Sequence, residues 1–303
     1  GVQADDLLWK ENRICGVKVG KDEIVGSVVV ACDGVNSILA QKAGLRGDLK
    51  PADVKQGVKE VIKLPREVIE QRFNVRGDEG VAWEFLGTST RGLPGGGFLY
   101  TNKDSLSVGV VVQLNALLEN KLQANDLLED LKKHPLVANL IADGKLAEYS
   151  AHLIPVYAAS SQPKLFKDRF LVTGDAAGFV LGTGLILEGA NFSIASGIAA
   201  AKTILKAKET GDFSEQVLSH YHHLLEDGFV LQDLNTFKKM AHMLENPRIY
   251  STYPDLICNI WHKLHASDGK PRKRVRRLLL EELRRGISLR QLGRDAMQIG
   301  GSV

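Results

Sequence analysis

Two short stretches carry the residue types needed to hold a sugar- and phosphate-bearing ligand: Cys32-Asp33-Gly34-Val35-Asn36-Ser37 and Gly174-Asp175-Ala176-Ala177-Gly178. Each sets a carboxylate beside glycine just ahead of a segment with helical spacing. A carboxylate there can accept hydrogen bonds from sugar hydroxyls, and glycine lets the main chain come close. The helix start offers N–H groups that lack intrahelical partners to a phosphate. Either turn alone is ordinary punctuation, because Asp-Gly is a common turn sequence. Their order is more specific: strand, first turn, a sheet-rich insert, strand, second turn, then a glycine-bearing loop and a small-residue helix from Gly189 to Lys206. One ligand can use both turns.

The elements that must position these turns are legible around them. Strands are expected at Asp6 to Lys10, Cys15 to Val19 and the β-branched run Ile24 to Ala31, separated by Asn12-Arg13 and Gly20-Lys21 turns, with a helix from Ser37 to Ala43. Phe170 to Thr173 reads as the buried strand that feeds the second turn. Between the turns the pattern is that of a mainly antiparallel sheet. Its strands are Val54 to Leu64, Val81 to Leu86, Gly97 to Thr101 and Leu106 to Val112, with Pro94-Gly95-Gly96-Gly97 as a turn. Two short helices follow, Asn125 to Lys133 started by Asn-Asp caps and Pro135 to Ala142 started by its proline. Strands resume between Lys145 and Tyr157. Beyond Thr210 the chain reads as helical to about Arg294, broken at Asn246-Pro247, Tyr253-Pro254 and Ser267-Asp268-Gly269.

Composition narrows the function classes. The 303 residues are 44% hydrophobic, enough for roughly two domains. Lys plus Arg number 39 against 36 Asp plus Glu, so no chain-wide basic field points to nucleic acid. Cys15, Cys32 and Cys258 stand far apart without a CxxC, which supports neither a disulfide framework nor a cysteine-ligated cluster. Glu188 and Asn191 interrupt the most apolar stretch, Thr183 to Ala201, so no run approaches the roughly twenty residues of a spanning helix. The expectation is a cytoplasmic protein, peripheral to a membrane at most.

The stretches Val28 to Leu45, Gly95 to Val112 and Phe170 to Ile204, the last containing GDAAGF and LEGANFSIASGIAAAKTI, resemble a family of FAD-dependent oxidoreductases. The family includes FixC, electron-transfer-flavoprotein:quinone oxidoreductase and the geranylgeranyl reductases. The resemblance runs over most of the chain, and the middle stretch is most like FixC. It implies an α/β, FAD/NAD(P)-binding flavoprotein fold of the hydroxylase-like kind, with an inserted antiparallel β-sheet substrate domain and a helical C-terminus. The implied division is residues 1–47 as the remainder of the FAD-binding domain, 48–160 as the substrate domain, 161–212 as the returning FAD-binding part and 213–303 as a C-terminal helical region. Asp175 would hold the FAD ribityl chain, Ala176, Ala177 and Gly178 would present amides to the pyrophosphate, and Glu188, Gly189 and Ala190 would lie at the isoalloxazine edge. Asp33, with Gly34, would support the same cofactor. The implied partners are an electron-transfer flavoprotein as donor and a quinone or ferredoxin-like protein as acceptor, with the cofactor rather than any side chain carrying the chemistry. A reductase of isoprenoid double bonds is the enzymatic alternative.

The chain departs from the family pattern in two respects. No GxGxxG turn occurs, so the first βαβ unit is expected to be missing, with an upstream segment carrying it. If no such segment exists, the alternative is an interaction remnant that binds no flavin. The four-cysteine cluster of the quinone oxidoreductases is also absent, as in FixC systems, where a separate ferredoxin-like partner supplies it. Three other features have bland readings. His220, His222 and His223 near Asp227 point in different directions around a helix and read as solvated positions rather than metal ligands. Trp83 and Phe85 read as sheet core, with the lining of an apolar pocket as the alternative. The basic run Lys270, Arg272, Lys273, Arg274, Arg276 and Arg277, extended by Arg284, Arg285, Arg290 and Arg294, reads as a solvated helical face. Its alternative is a surface for an acidic carrier protein or anionic lipid.

Overall fold

Positive φ at Glu11 and Asn12 (50° and 62°) makes the tight turn that pairs β1 (Asp6–Lys10) with β2 (Arg13–Val19), and Gly20 turns the chain into β3 (Asp22–Val25). The computed structural model describes residues 1–156, 164–183, 186–267, 269 and 271–300. The run expected as one strand from Ile24 to Ala31 is two. Gly26 donates to Cys15 O and ends β3, and the chain then enters a different sheet as β4 (Val29–Ala31). β-branched residues favour strand on both sides of Gly26-Ser27, so propensity alone does not reveal the change of partner. A five-residue helix follows, α1 (Ile38–Lys42).

The antiparallel sheet starts with β5 (Val54–Lys63). After α2 (Arg66–Phe73) come β6 (Ala82–Phe85), β7 (Gly95–Thr101) and β8 (Ser105–Gln113), then α3 (Leu114–Glu119), α4 (Ala124–Lys133), α5 (Pro135–Ile141) and β9 (Lys145–Pro155). The strand order is β6-β7-β8-β5-β9. The glycines expected as a turn at 94–97 are instead the start of β7. A Cβ on Gly95 would lie 2.2 Å from Val111 O, and one on Gly97 would lie 2.9 Å from Leu131 Cδ2 of α4. Glycine here serves close strand and helix approach, not reversal. Leu127, Leu128 and Leu131 of α4 join Leu99, Leu106, Val108 and Val110 of the sheet in one core. The Asn-Asp cap expected for α4 is not one: Gln123 is the N-cap, and Asn125 and Asp126 lie in the first turn. Pro135 does open α5, where His134 Nδ1 accepts from the Leu136 N–H. The expected end of the last strand, Tyr157, lies outside the described residues.

The chain continues through β10 (Phe166–Lys167) and β11 (Phe170–Val172), a short hairpin of β12 (Leu181–Gly182) and β13 (Leu187–Glu188), and the 21-residue helix α6 (Ala190–Thr210). Small residues make α6 a close-packing helix: Ser196, Ala199, Ala200, Thr203 and Ala207 are all on its buried side. Helices α7 (Glu215–Leu218), α8 (His220–Asp227) and α9 (Phe229–Thr236) pack with it, and the buried Tyr221 hydroxyl donates to Val172 O at 3.0 Å. Burial raises the Tyr221 pKa far above that of an ordinary phenol, so it stays a donor.

The last helices are α10 (Met240–Met243), α11 (Thr252–His265), α12 (Val275–Gly286) and α13 (Leu289–Gly300), so helix runs past the expected end at Arg294. The expected break at Tyr253-Pro254 is also absent. Pro254 occupies the first turn of α11, where its missing N–H has no intrahelical acceptor to lose. The chain divides into two compact units: Gly1–Val54 with Leu153–Ala241, and Lys55–His152 with His242–Val303.

Candidate cofactor-binding site

The first unit places the two turns side by side. β4 and β11 are parallel neighbours in register, Val29 opposite Phe170 and Ala31 opposite Val172, so both chains leave the sheet at the same end. The junction is tied by Thr173 N donating to Ala31 O at 3.0 Å and by the Cys32 thiol 3.0 Å from Thr173 Oγ1. In open α/β sheets that end of parallel strands is where ligands bind.

In the first turn the Asp33 carboxylate accepts from Leu39 N at 2.9 Å, so one of its oxygens holds the start of α1. Ser37, at the N-cap position, makes no such bond. It is fully buried, sits at φ 40° and takes a hydrogen bond on Oγ from Arg46 Nη1 at 2.8 Å. The second turn is a 3-10 turn over Gly174–Ala177 closed by Gly178 at φ 74°, whose N–H is bonded to Asp175 O at 2.9 Å. Gly174 needs its positive φ of 60°, and its N–H donates to Ser196 Oγ of α6 at 3.1 Å. A Cβ on Gly174 would lie 3.0 Å from Ser193 Oγ, so α6 presses directly on the turn.

The third expected segment is at the same place. Gly189 is the N-cap of α6, and a Cβ built on it would lie 3.6 Å from Asp175 Oδ1. Ala190 starts the helix, and Glu188 accepts from the Asn191 side chain at 2.7 Å. Gly174 to Gly178 and Glu188 to Ala190 are therefore brought together, and Asp33 with Gly34 joins them across the parallel strand pair. A Cβ on Gly34 or on Gly178 would meet no atom within 4 Å, so both glycines face open space.

Sequence reasoning missed Arg46. Its Nη1 donates to Val35 O (3.2 Å), Ser37 Oγ (2.8 Å) and Ala176 O (3.3 Å), and so spans both turns. Burial pulls its pKa down, with Asp53 and Asp33 acting in the opposite direction. A guanidinium stays protonated through such a shift. The one available signal was a lone cation in Gly44-Leu45-Arg46-Gly47, just past the end of α1.

The second unit separates Trp83 from Phe85. Trp83 packs on Phe73, ring centroids 5.6 Å apart, whereas Phe85 lines a cleft of about 460 Å³ with Leu86, Ser89, Asp130 and His134. His222 is half-buried and His223 exposed on α8, and both face Glu226, at 3.3 and 3.7 Å. Among the described residues no group of His, Cys, Asp and Glu is arranged to hold a metal ion, and no helix is long and apolar enough to cross a membrane. In the basic run, Lys273 and Arg277 pair with Glu281, while Arg272, Arg274, Arg276, Arg284, Arg290 and Arg294 are exposed. Lys270 lies outside the described residues.

Residues 240–303 match the C-terminal domain of the ETF-QO/FixC family. Protein FixC of Escherichia coli K12 is 44% identical over 280 residues, which are 92% of this chain and 65% of that protein. The probable electron transfer flavoprotein-quinone oxidoreductase YdiS of the same organism is 41% identical over 298 residues, 98% of this chain and 69% of YdiS. The chain thus spans about 65% of the length of the FixC relative it matches. Among solved structures, a geranylgeranyl bacteriochlorophyll reductase-like protein from Thermoplasma acidophilum superposes with a TM-score of 0.68 at 16% identity, over 98% of this chain and 68% of that one. The flavin-dependent brominase Bmp2 superposes at 0.57 and 14% identity, over 94% and 70%. These two likenesses establish a shared α/β fold with mixed sheets and C-terminal helices. With 41% identity to a relative of which it covers more than two thirds, this chain belongs to the FixC and electron-transfer-flavoprotein:quinone oxidoreductase family.

Proposed function

We propose that this chain forms the larger part of an FAD-dependent oxidoreductase that takes electrons from an electron-transfer flavoprotein and passes them to a quinone or ferredoxin-like acceptor. The observation that carries the reading is the convergence of two carboxylate-glycine turns on adjacent parallel strands, closed by the N-terminus of α6. The residues fit FAD. Gly34 and Gly178 face open space where a side chain would intrude, and Asp33 and Asp175 are suited to accept from ribityl or ribose hydroxyls. The N-terminus of a 21-residue helix favours negative charge. FAD, when bound, supplies the electron-transfer chemistry, while the chain binds it, orients it and sets its electrostatic surroundings.

In this reading Asp175 holds the ribityl chain, Ala176 to Gly178 present the turn to the pyrophosphate, and Glu188 to Ala190 border the isoalloxazine. Asp33 and Gly34 complete the seat from β4. An upstream GxGxxG unit would seat the AMP half. The domain reading stands as proposed: residues 1–47 and 161–212 serve the cofactor, 48–160 the substrate side, and 213–303 form the helical C-terminus. The proposed compartment is the cytoplasm, supported by three cysteines that form no disulfide. The exposed arginines of α12 and α13 are the proposed surface for an acidic carrier or the face of a membrane.

A reductase of isoprenoid double bonds is the second reading, favoured by the superposition on the geranylgeranyl reductase-like protein. Turnover of the full-length gene product separates the two. Oxidation of reduced electron-transfer flavoprotein, without reduction of a geranylgeranyl substrate, is the expected result; the reverse would replace the first reading with the second. A protein that binds no FAD would reject both in favour of an interaction role.

A further inference from the structure

We propose that Arg46 is a positioning residue that couples the two turns, holding the Asp33 turn and the Gly174–Gly178 turn at one fixed spacing. A single nitrogen, Nη1, reaches Val35 O and Ser37 Oγ on one side and Ala176 O on the other, at 3.2, 2.8 and 3.3 Å. The elements it joins need such a tie. β4 and β11 are three residues each, so the ladder between them is short, and α1 is only five residues long. A helix of that length has no stability of its own. Ser37 is held at φ 40° with no cap bond to the helix it precedes, a conformation that a residue with a Cβ keeps only when its surroundings dictate it. Among the described residues its side chain is bonded to Arg46.

The chemistry favours arginine over lysine here. The guanidinium is planar, and its reach lets a half-buried residue bond a nearby carbonyl and one 130 residues away in sequence. A lysine ammonium keeps the charge, but Nζ stands one bond nearer the backbone than Nη1 and offers no planar fork, so it gives up reach. The consequence for binding is pre-organisation. A ligand that touches both turns finds their spacing already set and does not spend binding energy to fix it. The link to FAD rests on the reading proposed above, whereas the coupling of the turns does not.

Amide hydrogen exchange on the full-length protein tests the coupling without any flavin. In Arg46→Met, exchange at Ser37 N in the first turn and at Gly178 N and Phe179 N in the second is expected to speed up together, by about ten- to hundred-fold, as suits a lost charge-assisted bond. Amides of β1 to β3 should be unchanged. Arg46→Lys should fall between the wild type and the methionine variant at both turns, and it serves as the readout if Arg46→Met does not fold. FAD affinity, measured by quenching of flavin fluorescence, should weaken about tenfold in Arg46→Met and recover in part in Arg46→Lys. Faster exchange confined to Ser37 would make Arg46 a local brace of α1 and overturn the proposal. Equal loss across β1 to β3 would make it a general stability residue and overturn it as well. If the wild type binds no FAD while the paired exchange effect appears, the flavin reading fails and the coupling stands.

Discussion

The two units hold their polar groups in different ways. In the first unit the polar side chains around the turns mostly address the backbone: Ser196 accepts from Gly174 N, the Tyr221 hydroxyl donates to Val172 O, Asp33 accepts from Leu39 N, and Arg46 donates to Val35 O and Ala176 O. In the second unit the C-terminal helices are held by long charged side chains that address each other. Asp295, 1% exposed, takes two bonds from Arg248 at 2.7 and 2.6 Å and one from the Tyr253 hydroxyl at 2.6 Å, and Glu282 pairs with Lys263. Backbone-directed bonds fix where the main chain lies, which is what a glycine-rich ligand cradle requires. Ion pairs between helices fix which helices pack together and leave the main chain regular. The contrast is between bonds that shape the main chain at the two turns and ion pairs that hold the C-terminal helices against one another.

Breaking the ion-pair side should have the largest effect on stability. Asp295→Ala leaves Arg248 without its carboxylate and is expected to lower the melting temperature by about 5 to 10 °C. It should not change FAD affinity. The same pair predicts a pH dependence. The hydrogen bonds from Arg248, then those from Tyr253, hold the Asp295 pKa well below its ordinary value of 3.8. A depressed folded pKa means that the native state binds fewer protons than the unfolded one. The contribution is therefore present in full above the unfolded carboxylate's pKa and is lost as pH falls through the lower, folded one. Thermal melts from pH 6 downward should show a loss in acid that is smaller in Asp295→Asn.

On the other side, Gly174→Ala should cost about 2 kcal/mol, from a side chain forced to φ 60° and a contact of 3.0 Å with Ser193 Oγ. Here FAD affinity should fall too, because the turn cannot keep its shape. A variant that melts lower but binds FAD as before would show that the turn is structural only.

The smallest effect sharpens the comparison. Asp33→Ala removes the acceptor for Leu39 N and should cost about 1 kcal/mol, the usual worth of such a cap. If Asp33 also serves the cofactor, FAD affinity should fall by more than stability does. An equal fall in both would restrict Asp33 to its helix.

The parts of this fold that sequence exposed are those with local causes. Asp33-Gly34 and Gly174-Asp175 each follow a β-branched or apolar strand, and their roles as turns follow from conformational preferences that need no partner. Pro135 marks a helix start and Asn246-Pro247 a helix break for the same reason, and Asn246 Oδ1 accepts from Arg248 N at that break. What stayed hidden depends on distant residues. Gly26 separates two strands that differ only in which sheet receives them, and Gly95 to Gly97 form strand because Val111 O and Leu131 leave no room for a side chain. Arg46 could not be found from spacing at all, since its value lies in reaching Ala176, and no periodicity joins those positions.

The most direct test of the central claim is a calorimetric titration of the flavin-free, full-length protein with FAD, comparing wild type with Asp175→Ala. Binding of one FAD per chain, weakened at least tenfold in the variant while its melting temperature stays within a few degrees, is the predicted result. Equal affinity in the two proteins would show that the converging turns are not the cofactor's seat.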